Sequence, residues 1–129
     1  MQKGFAVLPI ILLVSVLIFE VAAAGIFILY ISQQTGSTLR RQVEALAAAE
    51  AGIHDALIRS IRDKNFPTPE VPYDITAGDW AVTITVVKNG DERAVTSSAR
   101  AFSRGKTLKA ILTVASSTGQ VTIDSVVEL

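Results

Sequence analysis

The sequence predicts an α+β fold in which a long N-terminal helix packs by its second half on a four-stranded antiparallel β-meander. Three observations predict it. Residues 5–31 are an apolar run, residues 32–65 continue with helical periodicity, and residues 80–129 alternate apolar and polar side chains as strands do. The 129 residues therefore suit one small domain and an anchor, since two independent domains would be hard to fit.

Charge and composition exclude several classes of function. Lys and Arg together number 12, as do Asp and Glu, so no net charge points to nucleic acid or acidic lipid as a partner. Cysteine is absent, which excludes disulfide bonds, thiol catalysis and cysteine metal sites. The sequence has no evident nucleophile–base pair, phosphate-binding loop or metal cluster. We therefore expect no enzymatic activity and no cofactor.

The apolar run at residues 5–31 contains one charged side chain, Glu20. As a helix the run measures about 40 Å, which exceeds the roughly 30 Å hydrocarbon core of a bilayer. A cleaved secretory signal is the competing interpretation, because residues 22–24 are alanines that resemble the end of a signal peptide. The run resumes at residues 26–31, which favours a membrane anchor that is retained.

Residues 32–65 are expected to extend this helix outside the membrane. Their large apolar side chains recur at spacings of about three and four, and Glu50 fills a gap in the stripe. Because no proline interrupts the chain from Ile10 to Phe66, one continuous helix of about 50–58 residues is favoured, followed by a proline-rich connector at residues 66–79. The stripe consists of Leu39, Val43, Leu46, Ile53, Leu57 and Ile61.

Three turns define the predicted meander in residues 80–129. Asn89-Gly90 and Arg104-Gly105 suit two-residue hairpin turns, and residues 116–119 suit a four-residue loop. The resulting register pairs Val86 with Arg93, Ile84 with Val95, Val95 with Val114, Val114 with Val121, and Leu112 with Ile123.

This register places one set of apolar side chains on a common face of the sheet. A dry face needs a cover, and the apolar stripe of the helix is expected to supply it. The residues predicted for this face are Trp80, Val82, Ile84, Val86, Val95, Ala99, Leu108, Ala110, Leu112, Val114, Val121, Ile123 and Val127, while Phe102, Ile111 and Val126 are apolar exceptions on the opposite face.

Lys3-Gly4-Phe5 stands directly before the apolar helix, and this order resembles the processing site of type IV prepilins. In that family a short basic leader is cut after a glycine, and the new N-terminal residue is methylated. The resemblance implies a leader at residues 1–4, cleavage between Gly4 and Phe5, and methylation of Phe5. The partners it implies are a prepilin peptidase, the inner-membrane assembly machinery and other pilin subunits.

Residues 44–53, Glu-Ala-Leu-Ala-Ala-Ala-Glu-Ala-Gly-Ile, resemble the Ala-Ala-Glu-Ala-Gly segment of minor pilins of the PilX-like type. Most major pilins have glutamate as the fifth residue of the mature chain, where it pairs with a neighbouring subunit's amine. Pro9 occupies that position here, and proline cannot accept this pairing. The resemblance therefore implies a minor or accessory filament subunit, with a major subunit of a divergent system as the alternative. Such a subunit is single-pass in the bacterial cytoplasmic membrane before assembly and extracellular after it. The helix is expected to begin at Pro9.

Two features of the anchor are candidate assembly sites. A carboxylate in mid-membrane costs about 2.5–3.5 kcal/mol, so Glu20 is expected to face a protein partner; the alternative is a protonated glutamate tolerated in lipid. Ala22-Ala23-Ala24-Gly25 is a small-residue patch that lets helices approach closely, or is simply tolerated in a membrane helix.

Three further features lie outside the anchor. Glu50, just before Gly52, either hydrogen-bonds loop backbone or marks the point where the helix leaves the sheet. His54 is interpreted as a surface residue, since the chain has no second histidine for a metal site. A group of basic residues is interpreted as a solvated face of the sheet and not as a nucleic-acid surface. These are Lys88, Arg93, Arg100, Arg104, Lys106 and Lys109.

Two alternative functions compete with a pilus subunit. One is a type II secretion pseudopilin. The other is a membrane-anchored binding module that recognises a surface, DNA or an envelope partner without polymerising. An N-methylated Phe5 would favour the pilin class, whereas a retained Met1 would favour the binding module.

Overall fold

The computed structural model describes residues 4–67 and 72–129, which adopt an α+β fold. The predicted leader residues 1–3 and the connector residues 68–71 lie outside this description. The strands form one antiparallel sheet in sequential order, and the chain divides into two units, the second of which is Arg40–Leu129. The elements are α1 (Val7–Arg62), β1 (Tyr73–Ala77), β2 (Trp80–Asn89), β3 (Glu92–Ala101), β4 (Arg104–Val114) and β5 (Val121–Glu128).

Helix α1 has 56 residues, within the predicted range, and contains a segment long and apolar enough to cross a membrane. It begins at Val7, two positions before the predicted start at Pro9. Pro9 is accommodated because the first turn of a helix has no internal acceptor for its amide groups. Arg59 and Arg62 lie in the last turn, where cations interact favourably with the helix dipole.

Strand β1 makes the sheet five-stranded, so the prediction of four strands was wrong. It lies within the predicted connector, and Ala77 pairs with Trp80 across a turn that contains Gly78 at a φ of 62°. Tyr73, Ile75 and Ala77 alternate towards the core. Tyr73–Ala77 does alternate apolar and polar side chains, but the neighbouring prolines led to its interpretation as connector.

The turns of the β2–β3 and β3–β4 hairpins differ from the predicted ones. Asn89 pairs with Glu92, so Gly90 and Asp91 form the first turn, and Ala101 pairs with Arg104, so Phe102 and Ser103 form the second. Val86 therefore pairs with Val95, and Val95 pairs with Ala110. Both predicted registers were wrong by an even number of residues. Because strand side chains alternate with period two, the predicted faces were unaffected.

The predicted core face of β2, β3 and β4 is confirmed. Every apolar side chain predicted for it in these strands is buried, with at most 8% of its surface exposed. Arg93 and Ser97 of β3 alternate onto the same face and are also buried. The confirmed residues are Trp80, Val82, Ile84, Val86, Val95, Ala99, Leu108, Ala110, Leu112 and Val114.

A β-bulge changes the register of β5. Leu112 pairs with Ile123 as predicted, but Ile111 pairs with Ser125, so one residue of β5 is left over at position 124. The bulge reverses the alternation beyond it, because one extra residue moves each following side chain to the other face. Val126 therefore pairs with Ala110 on the core-facing side, and Val127 with Lys109 on the other side. The predicted faces of Val126 and Val127 were wrong.

The face of α1 that packs on the sheet is built from small side chains, not from the predicted stripe. Of that stripe, Ile53 is buried, Leu46 and Leu57 are half-buried, and the other three residues are exposed. Small side chains are favoured there because they let the helix backbone approach the sheet closely. The buried residues are Ala45, Ala48, Ala49, Gly52, Ile53, Ala56 and Ser60.

Candidate functional site

The backbone of α1 approaches the sheet closely at Gly52. A Cβ atom at this position would meet the Ser97 Oγ and would lie 2.9 Å from Val82 Cγ1 and 3.2 Å from Ile84 Cγ1. Ser97 is fully buried, and its hydroxyl has no hydrogen-bond partner within the described residues. Gly52 therefore has a packing role within the fold of the chain, which the sequence interpretation did not assign to it.

Arg93 holds the segment that follows α1 against the sheet. Its side chain is 2% exposed and donates three hydrogen bonds to backbone carbonyls. The Nε donates to Phe66 O over 2.7 Å, one terminal nitrogen to Lys64 O over 2.7 Å, and the other to Gly90 O over 3.1 Å. Arg93 thus joins the exit of the helix to the β2–β3 turn. It does not belong to a solvated basic face, so that interpretation was wrong for this residue.

Tyr73 connects β1 to the last turns of α1. Its ring lies edge-on to Phe66 with centroids 6.1 Å apart, and the Arg59 guanidinium carbon is 4.3 Å from the ring centroid. Arg59 also pairs with Asp55 over 2.8 Å. Burial, followed by the nearby Asp55 carboxylate, raises the pKa of Tyr73 well above its usual value near 10. Burial and Asp55 thus favour the neutral form of the tyrosine, although the Arg59 charge opposes this by lowering the pKa.

The side of α1 that faces away from the sheet keeps large apolar side chains uncovered. We call it the outer face of α1 and define it by Val43, Ile58 and Ile61, all of which are exposed. Val43, Ile58 and Ile61 have 66%, 48% and 59% of their surface accessible. The second half of α1 thus has two apolar faces, a small-residue face on the sheet and a larger-residue face that is unpartnered in this chain.

Glu50 and His54 border an open groove between α1 and β5. The groove is also lined by Ile53, Ile123 and Val126. On β5, Ile123 is 42% exposed and Val126 is 50% exposed, because the helix covers the earlier strands more completely than this one. Buried helix residues lie on both sides of Glu50 in the sequence, so the helix does not leave the sheet there.

The predicted site residues of the anchor all lie exposed along the first unit. Phe5 precedes α1 and is 91% exposed, and Pro9 lies in the first turn. Glu20 stands among exposed apolar side chains such as Phe19 and Val21, at 76% and 73%. Gly4, Ala22 and Gly25 are exposed, and an added Cβ at either glycine would meet no atom within 4 Å.

The predicted basic residues other than Arg93 are distributed over the sheet. Lys106 forms an ion pair with Glu128, while Lys88, Arg100, Arg104 and Lys109 are exposed. In residues 4–67 and 72–129, no group of three or more His, Cys, Asp or Glu could hold a metal ion. The main features that sequence reasoning missed are the buried Arg93 and the Tyr73 cluster. The burial of Arg93 had a signal in the sequence. Arg93 and Val95 are two residues apart in one strand, so their side chains lie on the same, core-facing side.

Comparison of the chain with protein-family models finds no match, and comparisons with curated proteins and with solved structures find none either.

Proposed function

We propose that this protein is a structural subunit, minor or accessory, of a type IV pilus or a related filament. The observation that carries this proposal is the uncovered apolar side of α1. Val43, Ile58 and Ile61 stay exposed although the same helix already covers the sheet with its small-residue face. Together with the exposed apolar side chains of residues 5–31, these residues give α1 an apolar surface that favours a partner helix.

In the proposed filament that partner is α1 of a neighbouring subunit. The small-residue patch that includes Ala22 and Gly25 would allow close helix approach within the apolar segment, and the outer face of α1 would continue the packing beyond it. The other pilin subunits, the inner-membrane assembly machinery and the prepilin peptidase are the partners of this assembly. Before assembly, residues 5–31 would hold the chain in the cytoplasmic membrane as a single-pass anchor.

The most direct test is mass spectrometry of the native N-terminus. We expect a mature chain that begins with N-methylated Phe5, after cleavage behind Gly4. A Gly4→Ile variant is the matched control, because a β-branched side chain at the cleavage position should leave the leader in place. A wild-type chain that retains Met1 and copurifies with no filament would contradict the proposal and favour the membrane-anchored binding module. A mature Phe5 in a chain confined to the cell envelope would favour a secretion pseudopilin.

Glu20 provides a second test, specific to assembly. A carboxylate among lipid-facing side chains is costly, so we expect it to contact a protein group in the assembled or assembling filament. Glu20→Gln retains the shape and removes the charge, and should lower the amount of subunit in sheared filaments without lowering the membrane-bound pool. Glu20→Asp is the control that keeps the charge. Normal filament incorporation of Glu20→Gln would show that the carboxylate is only tolerated.

A further inference from the structure

We propose that the β3–β4 turn, Phe102-Ser103, inserts the Phe102 ring into the groove between α1 and β5 of a second copy of this chain. The inference rests on the proposed function, in which apolar helices bring copies of the chain together. It goes further by naming a contact between their folded units.

Phe102 is an isolated apolar projection on the folded unit. Its side chain is fully exposed, at 102% of the reference area, at the first central position of the two-residue β3–β4 turn. Its φ is 57°, in the left-handed region that glycine usually occupies at such a position. The ring adds no burial to the fold and the residue suits the turn poorly, so its presence points to a contact outside the chain.

The groove between α1 and β5 is large enough to receive an aromatic ring. Its volume is about 290 Å³, and its apolar lining consists of Ile53, Ile123 and Val126. A cavity of about 150 Å³ with a comparable apolar lining holds benzene, so the groove has room for a phenyl ring. Ile123 and Val126 are 42% and 50% exposed in the single chain, and an inserted ring would cover part of this apolar surface.

The surroundings of Phe102 carry an excess of positive charge. Arg104 directly follows the turn, and with Arg41 it lines a surface cavity beside Phe102. Both arginines are exposed and form no ion pair with another residue in the described ranges. The acidic residues at this cavity are Glu44, which is paired with Arg40, and Asp79.

The groove carries the opposite charge at its rim. Glu50 is exposed there and forms no ion pair with any residue in 4–67 or 72–129. His54, the other polar residue of the lining, lies about one turn further along the helix. We assign Glu50 of the second copy as the partner of Arg104, which is next to the inserted ring. Such a pair fixes the orientation and selects the partner more than it adds affinity.

A chain cannot fill its own groove, because the two surfaces lie far apart on the folded unit. Val126 of the groove pairs with Ala110, which lies seven residues beyond Ser103 along β4. At about 3.3 Å per residue, the groove is about 23 Å from the turn. A contact between two different surfaces of one kind of chain repeats from copy to copy as an open polymer, unless it closes into a ring. The arrangement therefore suits a filament.

The contact is small, which limits where it can form. A phenylalanine side chain buries about 150–250 Å², whereas a specific interface buries about 800 Å² on each side. We therefore expect dilute single chains to stay apart. Copies held in one membrane or filament meet at a much higher effective concentration, which is sufficient for a weak second contact.

The test is thiol cross-linking of the full-length chain in membranes and in sheared filaments. The chain has no native cysteine, so every thiol is an introduced one. Ser103→Cys and His54→Cys place thiols beside Phe102 and at the rim of the groove, and they leave the ring and the apolar lining unchanged. Combined in one chain and treated with a short bismaleimide, they should give a ladder of covalent multimers. Ser103→Cys with Ser117→Cys, an exposed position between β4 and β5, is the matched control and should stay monomeric.

The ladder should depend on both surfaces. Phe102→Asn removes the ring while asparagine accepts a positive φ, so it should reduce the ladder to the level of the control pair. Arg104→Glu should lower the yield by up to about fivefold, the range of an exposed ion pair, and Glu50→Arg in the same chain should restore it. Lys88→Glu makes the same charge change at an exposed position of β2 and should have no effect.

Three results would overturn the inference. Cross-linking of Ser103→Cys alone into dimers would indicate a symmetric contact between turns. A ladder that persists in Phe102→Asn would exclude the ring from the contact. Products that join the chain to a different protein, in place of the ladder, would assign the turn to another partner.

Mass spectrometry of the N-terminus in the same samples separates this inference from the proposed function. If filaments contain N-methylated Phe5 and give no ladder, only the contact of Phe102 with the groove is overturned. If Met1 is retained and no filament forms, the proposed function fails. A ladder that still requires Phe102 in such membranes would support the contact between anchored copies.

Discussion

Gly52 of α1 lies directly against Ser97 of β3, and no side chain separates the helix backbone from the sheet at this point. The contact explains why a glycine is present in the middle of a helix, where it otherwise destabilises by about 1 kcal/mol. The distance between helix and sheet depends on the absence of a side chain at Gly52. A larger residue there would have to displace Ser97 and also Val82 or Ile84.

Gly52→Ala should therefore lower the free energy of unfolding by about 1–3 kcal/mol, the usual effect of overpacking a core. Denaturant unfolding of the detergent-solubilised chain, followed by the fluorescence of the buried Trp80, measures it. Gly36→Ala is the matched control, since a Cβ there meets no atom within 4 Å and alanine favours helix. Equal unfolding free energies for Gly52→Ala and the wild type would disprove the close packing.

Replacement of Arg93 should release the segment after α1. Arg93→Met removes the donor to the carbonyls of Lys64, Phe66 and Gly90, and hydrogen bonds that involve a charged group contribute about 1.5–3 kcal/mol each. We expect a loss of stability of about 2 kcal/mol or more, with faster amide hydrogen exchange around these residues. Lys88→Met, an exposed cation beside the same turn, should change stability by less than about 0.5 kcal/mol. Similar effects for the two variants would contradict the structural role of Arg93.

The raised pKa of Tyr73 makes stability depend on alkaline pH. The folded state holds the phenolic proton more tightly than the unfolded state, so this contribution is fully present below pH about 10 and is lost as the pH rises above it. Between pH 10 and the higher folded-state pKa, stability should fall by up to about 1.4 kcal/mol per pH unit on account of this group. Urea unfolding at a series of alkaline pH values should show a shallower decline for Tyr73→Phe. Parallel curves for the two chains would refute the assignment.

Polar substitutions on the outer face of α1 should separate assembly from folding. Val43→Ser combined with Ile61→Ser removes apolar surface that is already exposed, so unfolding should change by less than about 0.5 kcal/mol. The yield of sheared filaments should nevertheless fall, because the proposed helix–helix contact loses its apolar side chains. Val87→Ser, an equally exposed apolar position on β2, is the control and should assemble normally. Unimpaired assembly of the double variant would argue against the helix–helix contact.

The faces of the central strands could be predicted from the sequence even though their turns could not. Asn89-Gly90 and Arg104-Gly105 are both displaced from the turns that form, but the displacements are even and the alternation survives them. In β5 a single unpaired residue reverses the alternation, and no local pattern in the sequence marks it. Face prediction therefore fails at Val126 and Val127, beyond the bulge.

Periodicity alone could not identify which face of α1 packs on the sheet. Both the small-residue face around Ala49 and the larger stripe around Val43 repeat with helical spacing, and hydrophobicity favours the larger side chains. Fit against the sheet favours the small ones, because the backbone at Gly52 is in contact with it. The length of α1 was predictable, since an uninterrupted run without proline depends on local properties.

The bulge in β5 has a consequence for how copies of this chain can join. β5 is an edge strand of the sheet, and a regular edge offers its free amide and carbonyl groups as a template for strand addition and aggregation. One extra residue at position 124 breaks the spacing of those groups, and bulges are a common protection of exposed edges. Amyloid-like stacking through this edge is thereby disfavoured. Ordered polymers of this chain would instead form through contacts between side chains.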